Sequence, residues 1–351
     1  MVGNPPLKIQ YVLKKRRIYL YSATKNRRGE NRVRIAINAI GLLICCAGGA
    51  VAAFNDIGVG ARPLGLGGAF VALADDGNAA NYNAAGLGYI NAAHLSMTTS
   101  QRFRGLINYN HIGGVLPLGS VGSFGASIGI LGEDSEVYKE QTITVSYGKT
   151  FLQRFALGLN LKSFSTRFEE SNESVSAHLK NNSQFFAHTS AADFSFDLGM
   201  MASPVTGLTV GLSAENLFPA NVSISEIGED HIPRNIRVGL AYRLATIAAT
   251  TKQEALREVL KSGLGLFEVT LRDGDRQIHA GAELWLNKMI GVRAGYSLRS
   301  GVNRATGIAL GSSVKLPVAA LRLQLDYGFQ IVTGVLVDNT TQRFSLNLTF
   351  E

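Results

Sequence analysis

The sequence predicts an all-β protein: a transmembrane antiparallel β-barrel of about 14 strands, with an N-terminal hatch segment in its lumen, following a signal peptide. Three observations carry this. Apolar and polar residues alternate with period two over strand-length stretches that recur about every twenty residues. Beyond the leader no apolar run approaches the length of a spanning helix. A Gly- and Ala-rich segment without alternation precedes the first of these stretches. Only helices and closed barrels satisfy every backbone polar group in a bilayer, so repeated two-faced strands point to a barrel.

The leader comes first. Residues 1–36 hold ten of the 34 Lys and Arg residues and one acid, Glu30. Removing them leaves 24 basic and 25 acidic residues, so the formal charge of +8 belongs to the leader. Nucleic-acid binding, which needs bases clustered on a folded face, therefore has no support. Ile35 to Ala53 is apolar except for Asn38, and Ala50-Val51-Ala52 supplies the small residues of a cleavage site. Residues 1–52 read as a basic leader and signal peptide cleaved after Ala52, with an uncleaved anchor as the alternative. Both cysteines, Cys45 and Cys46, fall inside it. The 299 residues that follow hold no thiol, which excludes a disulfide framework and a Cys-ligated metal there.

Residues 53–91 form the second unit. Ala69 to Ala74 reads as a short helix ended by Asp75-Asp76-Gly77, with the two acids pairing with a base such as Arg62. Residues 92–351 form the barrel. Strands are expected at 93–100, 105–116, 121–131, 139–150, 154–166, 191–202, 206–216, 234–244, 264–272, 276–286, 290–299, 304–316, 320–331 and 341–350. The alternation is clear where Ile236, Val238, Leu240 and Tyr242 oppose Arg237, Gly239, Ala241 and Arg243. It is equally clear at the end, where Phe344, Leu346, Leu348 and Phe350 alternate with Ser345, Asn347 and Thr349. This last strand also reads as the signal for the barrel-assembly machinery. The long polar connections 167–190 and 217–233 fall at one end, and most connections at the other are short. Long outside and short inside is the asymmetry of bacterial outer-membrane barrels. The exception is 245–263, where Lys252 to Lys261 reads as a surface helix on the periplasmic side. A soluble two-sheet sandwich would also alternate, but with more Lys and Glu on its polar faces.

Enzyme signatures are weak. Gly148-Lys149-Thr150 ends a strand and lacks the glycine of a phosphate-binding loop at Ile143. The six histidines show no zinc spacing, and no cofactor or metal is expected. The charges on the polar strand faces are Arg237, Arg243, Glu268, Glu283, Arg293, Arg322 and Asp326. In lipid each Arg near the midplane would cost roughly 2–4 kcal/mol, so they belong in the lumen, paired. Fourteen strands enclose more space than side chains alone fill, and 54–91 is the segment available to plug it.

The motif Gly60-Ala61-Arg62, Gly65, Gly67-Gly68, Asp75-Asp76 and Asn83-Ala84-Ala85-Gly86-Leu87 resembles the N-terminal signature of PorV/PorQ-type proteins of the FadL-like outer-membrane transport superfamily. His279 to Trp285, Val292 to Tyr296, Leu325 to Phe329 and Arg343 to Leu346 resemble the same group. Ala84 stands where that signature usually has Pro, which frees a backbone angle, and Glu351 follows the aromatic on which barrels commonly end. The resemblance implies a 14-stranded barrel with an N-terminal hatch. It implies transport or binding of hydrophobic small molecules such as fatty acids, or a role in type IX protein secretion. Outer-membrane lipid, the assembly machinery, and either hydrophobic molecules or secretion proteins are the expected partners.

Overall fold

Small or polar residues on one strand face and apolar residues on the other leave the chain one stable solution in lipid, and it closes on itself. The computed structural model describes Phe54 and residues 57–350, except 103–104, 106, 134–137, 169–187, 226–227, 249, 302–303, 319–320 and 335–338. The leader, with its expected cleavage site, lies outside the described residues.

Fourteen strands run β1 Ala93–Arg102, β2 Ile107–Pro117, β3 Ser123–Glu133, β4 Tyr138–Phe151, β5 Phe155–Phe168, β6 Ser190–Val205, β7 Leu208–Glu215, β8 Asn235–Arg243, β9 Leu264–Arg272, β10 Asp275–Trp285, β11 Ile290–Ser300, β12 Ala305–Val318, β13 Leu321–Gly334 and β14 Asn339–Phe350. Each pairs antiparallel with its sequence neighbours, and β1 pairs with β14 to close the barrel. The two-sheet sandwich is thereby excluded. The expected strands match these within a few residues each. Register at the seam sets Thr98 opposite Ser345 and Met97 opposite Leu346, so polar meets polar inside and apolar meets apolar outside. Asp273 and Gly274 both take positive φ in the two-residue turn between β9 and β10, the geometry that matches strand twist.

The outer surface is apolar. Met97, Ile112, Val145, Leu161, Phe194, Leu240, Phe267, Ile308, Leu310, Phe344 and Phe350 are all exposed. Monomeric soluble proteins rarely show so continuous a patch. No helix among the described residues is long and apolar enough to cross a membrane.

The inside holds residues 57–91. The two main apolar clusters are built from this segment: Leu66, Phe70, Val71, Leu73 and Tyr82 in one, Ala74, Ala79, Ala85, Leu87 and Ile90 in the other. Few wall residues join them, among them Leu264 and Leu266 in the first and Met201 in the second. The expected helix over 69–74 does not form. Helix α1 lies earlier, at Ala61–Gly65, and 71–73 make a single turn. Gly67 and Gly68, both at positive φ, end α1 sharply. The backbone N–H groups of Phe70 and Val71 then donate to Glu268 at 2.8 and 2.9 Å, and Ala74, at positive φ, ends the turn. The 252–261 helix is found as α3, Glu254–Lys261, after a short turn α2 at Ala245–Ala248.

Candidate functional site

Glycines make the lumen wall fit its contents. Gly148, Gly158, Gly199, Gly211, Gly281, Gly295 and Gly328 face inward, and a Cβ at any of them would meet an atom of the N-terminal segment at under 3.0 Å. At Gly158 those atoms are the backbone of Ala84 and Ala85; at Gly295, the backbone of Leu66 and Gly67. Gly265, which faces outward between the inward Leu264 and Leu266, has open space around it. The strands thus carry a collar without side chains at the height where the segment crosses.

Polar contacts lock the segment into that collar. Arg62 on α1 is the centre. Its Nε and Nη2 donate to the two carboxylate oxygens of Glu283 on β10, at 2.8 and 2.9 Å. Its Nη1 donates to Asp75 at 2.5 Å and to Asp76 at 3.2 Å. The fork of a guanidinium suits such a two-point pair. Burial works against the Arg62 charge, but the surrounding carboxylates outweigh it and hold the group firmly protonated. Burial pushes the Asp76 carboxyl above its usual range, and Arg62 offsets this only in part.

The network continues through the wall. Arg293 on β11 donates from Nε to Glu283 at 2.6 Å and from Nη1 to Asp326 on β13 at 3.2 Å. Asp326 also accepts from Gln324 at 2.9 Å, from Asn347 at 2.6 Å and from Ser313. On the adjoining strands β7–β9, Arg237 donates to Glu215 at 2.8 Å and to Glu268 at 3.1 Å. Glu268 in turn holds the Phe70–Val71 turn. Five of the seven expected lumen charges, Arg237, Glu268, Glu283, Arg293 and Asp326, are therefore buried and paired. The other two, Arg243 and Arg322, sit where β8 ends and β13 begins and are exposed, lining the space at that end of the barrel.

Asn83 fastens the far side. Its Nδ2 lies 3.0 Å from the Val71 carbonyl oxygen and 3.1 and 3.2 Å from those of Met200 and Leu212 on the wall, while its Oδ1 accepts from Ala85 N at 3.1 Å. Asn83→Ala leaves buried carbonyls without a donor and should lower stability by about 1–3 kcal/mol. A drop in the denaturant midpoint of the refolded barrel is the measurement; an unchanged midpoint contradicts the role.

Three residues outside the expected site residues also bear on the segment and its wall. Glu215 lies in register with inward-facing Ser213 and completes the Arg237 pair. The His279 Nδ1 donates to the Gly67 carbonyl at 2.7 Å. Arg343, fully buried on β14, donates to the carbonyls of Gly60 and Ile57. Glu215 and Arg343 had a signal, since each follows the inward parity of its strand. The hatch-motif glycines Gly60, Gly67 and Gly68 all take positive φ, whereas Gly65 packs against Gly311, Gly86 against Ala74, and Leu87 is buried in the wall-side cluster. Gly148-Lys149-Thr150 is a stretch of β4, with Gly148 facing Ala84 and Leu87 rather than a phosphate.

The segment divides the lumen. Toward the end bearing the long loops, a cavity of about 120 Å³ lies between Ile57, Val59, Tyr109, Glu140, Lys162 and Arg272. Toward the end bearing the short turns, a vestibule of about 1110 Å³ is floored by Arg62 and Asp75. On the outside, an apolar hollow of about 670 Å³ runs over β1–β3 and β12–β14 between Met97, Ile112, Ile130, Leu325, Tyr327 and Phe344.

A closed 14-stranded antiparallel barrel matching FadL-like outer-membrane barrels is the class that this fold defines. The Ralstonia pickettii toluene transporter TbuX superposes with a TM-score of 0.56 at 12% identity, over 85% of this chain and 100% of that one. A Pseudomonas aeruginosa FadL homologue gives 0.56 at 12%, over 83% and 98%. The Pseudomonas putida toluene transporter TodX gives 0.54 at 12%, over 86% and 99%. No protein-family model and no curated protein matches the sequence. At such identities the likeness is one of fold.

Proposed function

We propose that the protein carries hydrophobic small molecules across a bacterial outer membrane, with residues 53–91 as the hatch that closes the barrel. The latch of Arg62 on Glu283, Asp75 and Asp76 is the observation that carries this reading, because one buried group ties the plug to the wall. A plug made to stay would be covered by apolar contacts alone. This one places a charge cluster at the border of the 1110 Å³ vestibule, where binding can reorganise it. Apolar cargo gains roughly 25 cal/mol for each Å² of apolar surface it removes from water, which favours transfer into the barrel wall. The names of the solved structures with this fold, two of them toluene transporters, agree with such cargo. Deleting residues 54–91 behind an intact leader should raise bilayer conductance and antibiotic sensitivity. A folded deletion barrel that stays as quiet as the full-length protein would remove the hatch from the proposal.

A PorV-type role in type IX secretion is the second reading, and it rests on the loop 217–233. This loop is built rather than loose: Ala220, Val222 and Ile232 bury against Phe164, and Asn221 bridges to His231. Phe218 stays 64% exposed beside it. Secretion proteins captured with the full barrel, and lost from a Phe218→Ser variant, would favour this reading over transport.

A further inference from the structure

The end of the barrel that bears the short turns is apolar at its tips. At each of the six turns a large apolar side chain stands exposed, in the turn or on the strand residue beside it: Val121, Leu152, Val205, Leu256, Leu286 and Val318. Turn tips that meet water are commonly Asn, Asp or Gly. Leu152 departs furthest, being 93% exposed and at positive φ, a backbone conformation that costs a bulky residue. The two ends also differ in charge. The segments linking strands at the turn end hold five basic residues, Arg154, Lys252, Arg257, Lys261 and Lys288, against Glu254 and Glu258. Those at the other end hold four basic residues against ten acidic ones.

Three observations say what meets these tips. Neighbouring strands pair all the way round the barrel, so the six turns are spread around its circumference. What covers them must therefore surround the barrel, as a leaflet does and a docked protein does not. Outward-facing aromatics also join the turns to the lipid-facing band: Tyr147 donates to the Val121 carbonyl at 2.5 Å, and Thr246 on α2 donates to the Tyr242 hydroxyl at 2.7 Å. Aromatic girdles mark the edge of the apolar band, so tips just beyond them lie among headgroups. Helix α3 is turned to match. Its Glu258 and Lys261 border the vestibule, while Leu256 and Val259, each two residues earlier and so about 200° round the helix, are exposed on the side away from it.

We propose that the turn end is a docking surface for anionic phospholipid, its apolar tips entering the edge of the leaflet and Arg154, Lys252 and Lys288 meeting headgroup phosphates. Apolar groups beside basic ones bind such a surface, and each base near it adds an attraction that salt screens. The surface lies apart from the hatch and its latch, so the inference does not depend on the cargo.

Leu152→Cys in a chain whose Cys45 and Cys46 are replaced by Ser carries a single thiol. The full-length protein, labelled there with an environment-sensitive fluorophore, is reconstituted in phosphatidylcholine vesicles with and without phosphatidylglycerol. Lipid brominated high on its acyl chain should quench the probe, and aqueous iodide should not. A probe at Glu229→Cys, exposed at the opposite end, should stay open to iodide. At low salt brominated phosphatidylglycerol should quench the residue 152 probe at about threefold lower content than brominated phosphatidylcholine. Added salt should bring that ratio toward one, and so should Arg154→Gln, Lys252→Gln and Lys288→Gln combined. These three side chains are exposed, and heat-modifiable migration on a gel checks that the variant barrel is folded. A residue 152 probe open to iodide gives the tips to water or a protein partner and overturns the proposal. Equal quenching by the two lipids at low salt, or an unchanged ratio in the triple variant, overturns it as well.

Discussion

Gly158→Val should drive the N-terminal segment out of the lumen. The new side chain would begin with a Cβ less than 3.0 Å from the backbone of Ala84 and Ala85. Backbone cannot rotate away as a flexible side chain can, and Gly199 presses on the same turn from the next strand. Overpacking a fitted core costs typically 1–3 kcal/mol, and against fixed backbone more than about 3 kcal/mol is expected here. The strand itself loses nothing, since Val suits a pleated sheet. The barrel should therefore still form, with conductance raised toward that of the 54–91 deletion. Gly265→Val, with open space at the Cβ position, is the control and should stay quiet. Equal behaviour of the two variants would show that the collar does not hold the segment.

Arg62→Ala should have the second largest effect. Removing the guanidinium strips Asp75 and Asp76 of the cation they share and leaves Glu283 with Arg293 and the Trp285 indole. Breaking a buried pair from one side costs about 3–5 kcal/mol, and Glu283 and Asp76 set that cost here, since Asp75 borders the vestibule. The segment should become open to added protease in the folded barrel, and the unfolding midpoint should fall. Arg62→Lys should restore little, since an ammonium cannot reach both Glu283 oxygens and the two aspartates with one planar fork. Adding Glu283→Gln to Arg62→Ala should cost less than the sum of the single changes. Strict additivity would mean that the two side chains act independently and that the latch does not exist.

The barrel was legible because its signal is local. Period two needs only neighbouring residues, and lipid enforces it at every strand, so even boundaries such as 264–272 come out of the sequence directly. The pairing of Arg62 with Asp75 and Asp76 was legible for the same reason: the partners stand 13 and 14 residues apart. Glu283 as a partner of Arg62 was not, at a separation of 221 residues. Inward parity says that Glu283 faces the lumen; it does not say what else occupies that height. The collar shows the same limit. Gly239 and Gly295 read only as the small members of an alternation, and an inward glycine carries no mark of what approaches it. The turn that stands in place of the expected helix at 69–74 is likewise held from afar, since Glu268, 198 residues away, accepts from Phe70 N.

The same inside-out construction fixes the order in which the molecule can be put together. Ala61 N donates to Ser345 Oγ at 2.8 Å, and Arg343 reaches the carbonyl of Gly60, so the first residues of the body are stapled to the final strand. We expect the segment to be in place while the seam is still open, so that β14 finds β1 and β13 beside it and the segment behind it. Cross-linking Ala61 to Ser345 in a stalled, unsealed intermediate would catch that moment, and the protein would then be one that is closed around its own N-terminal segment, like a ship built inside its bottle.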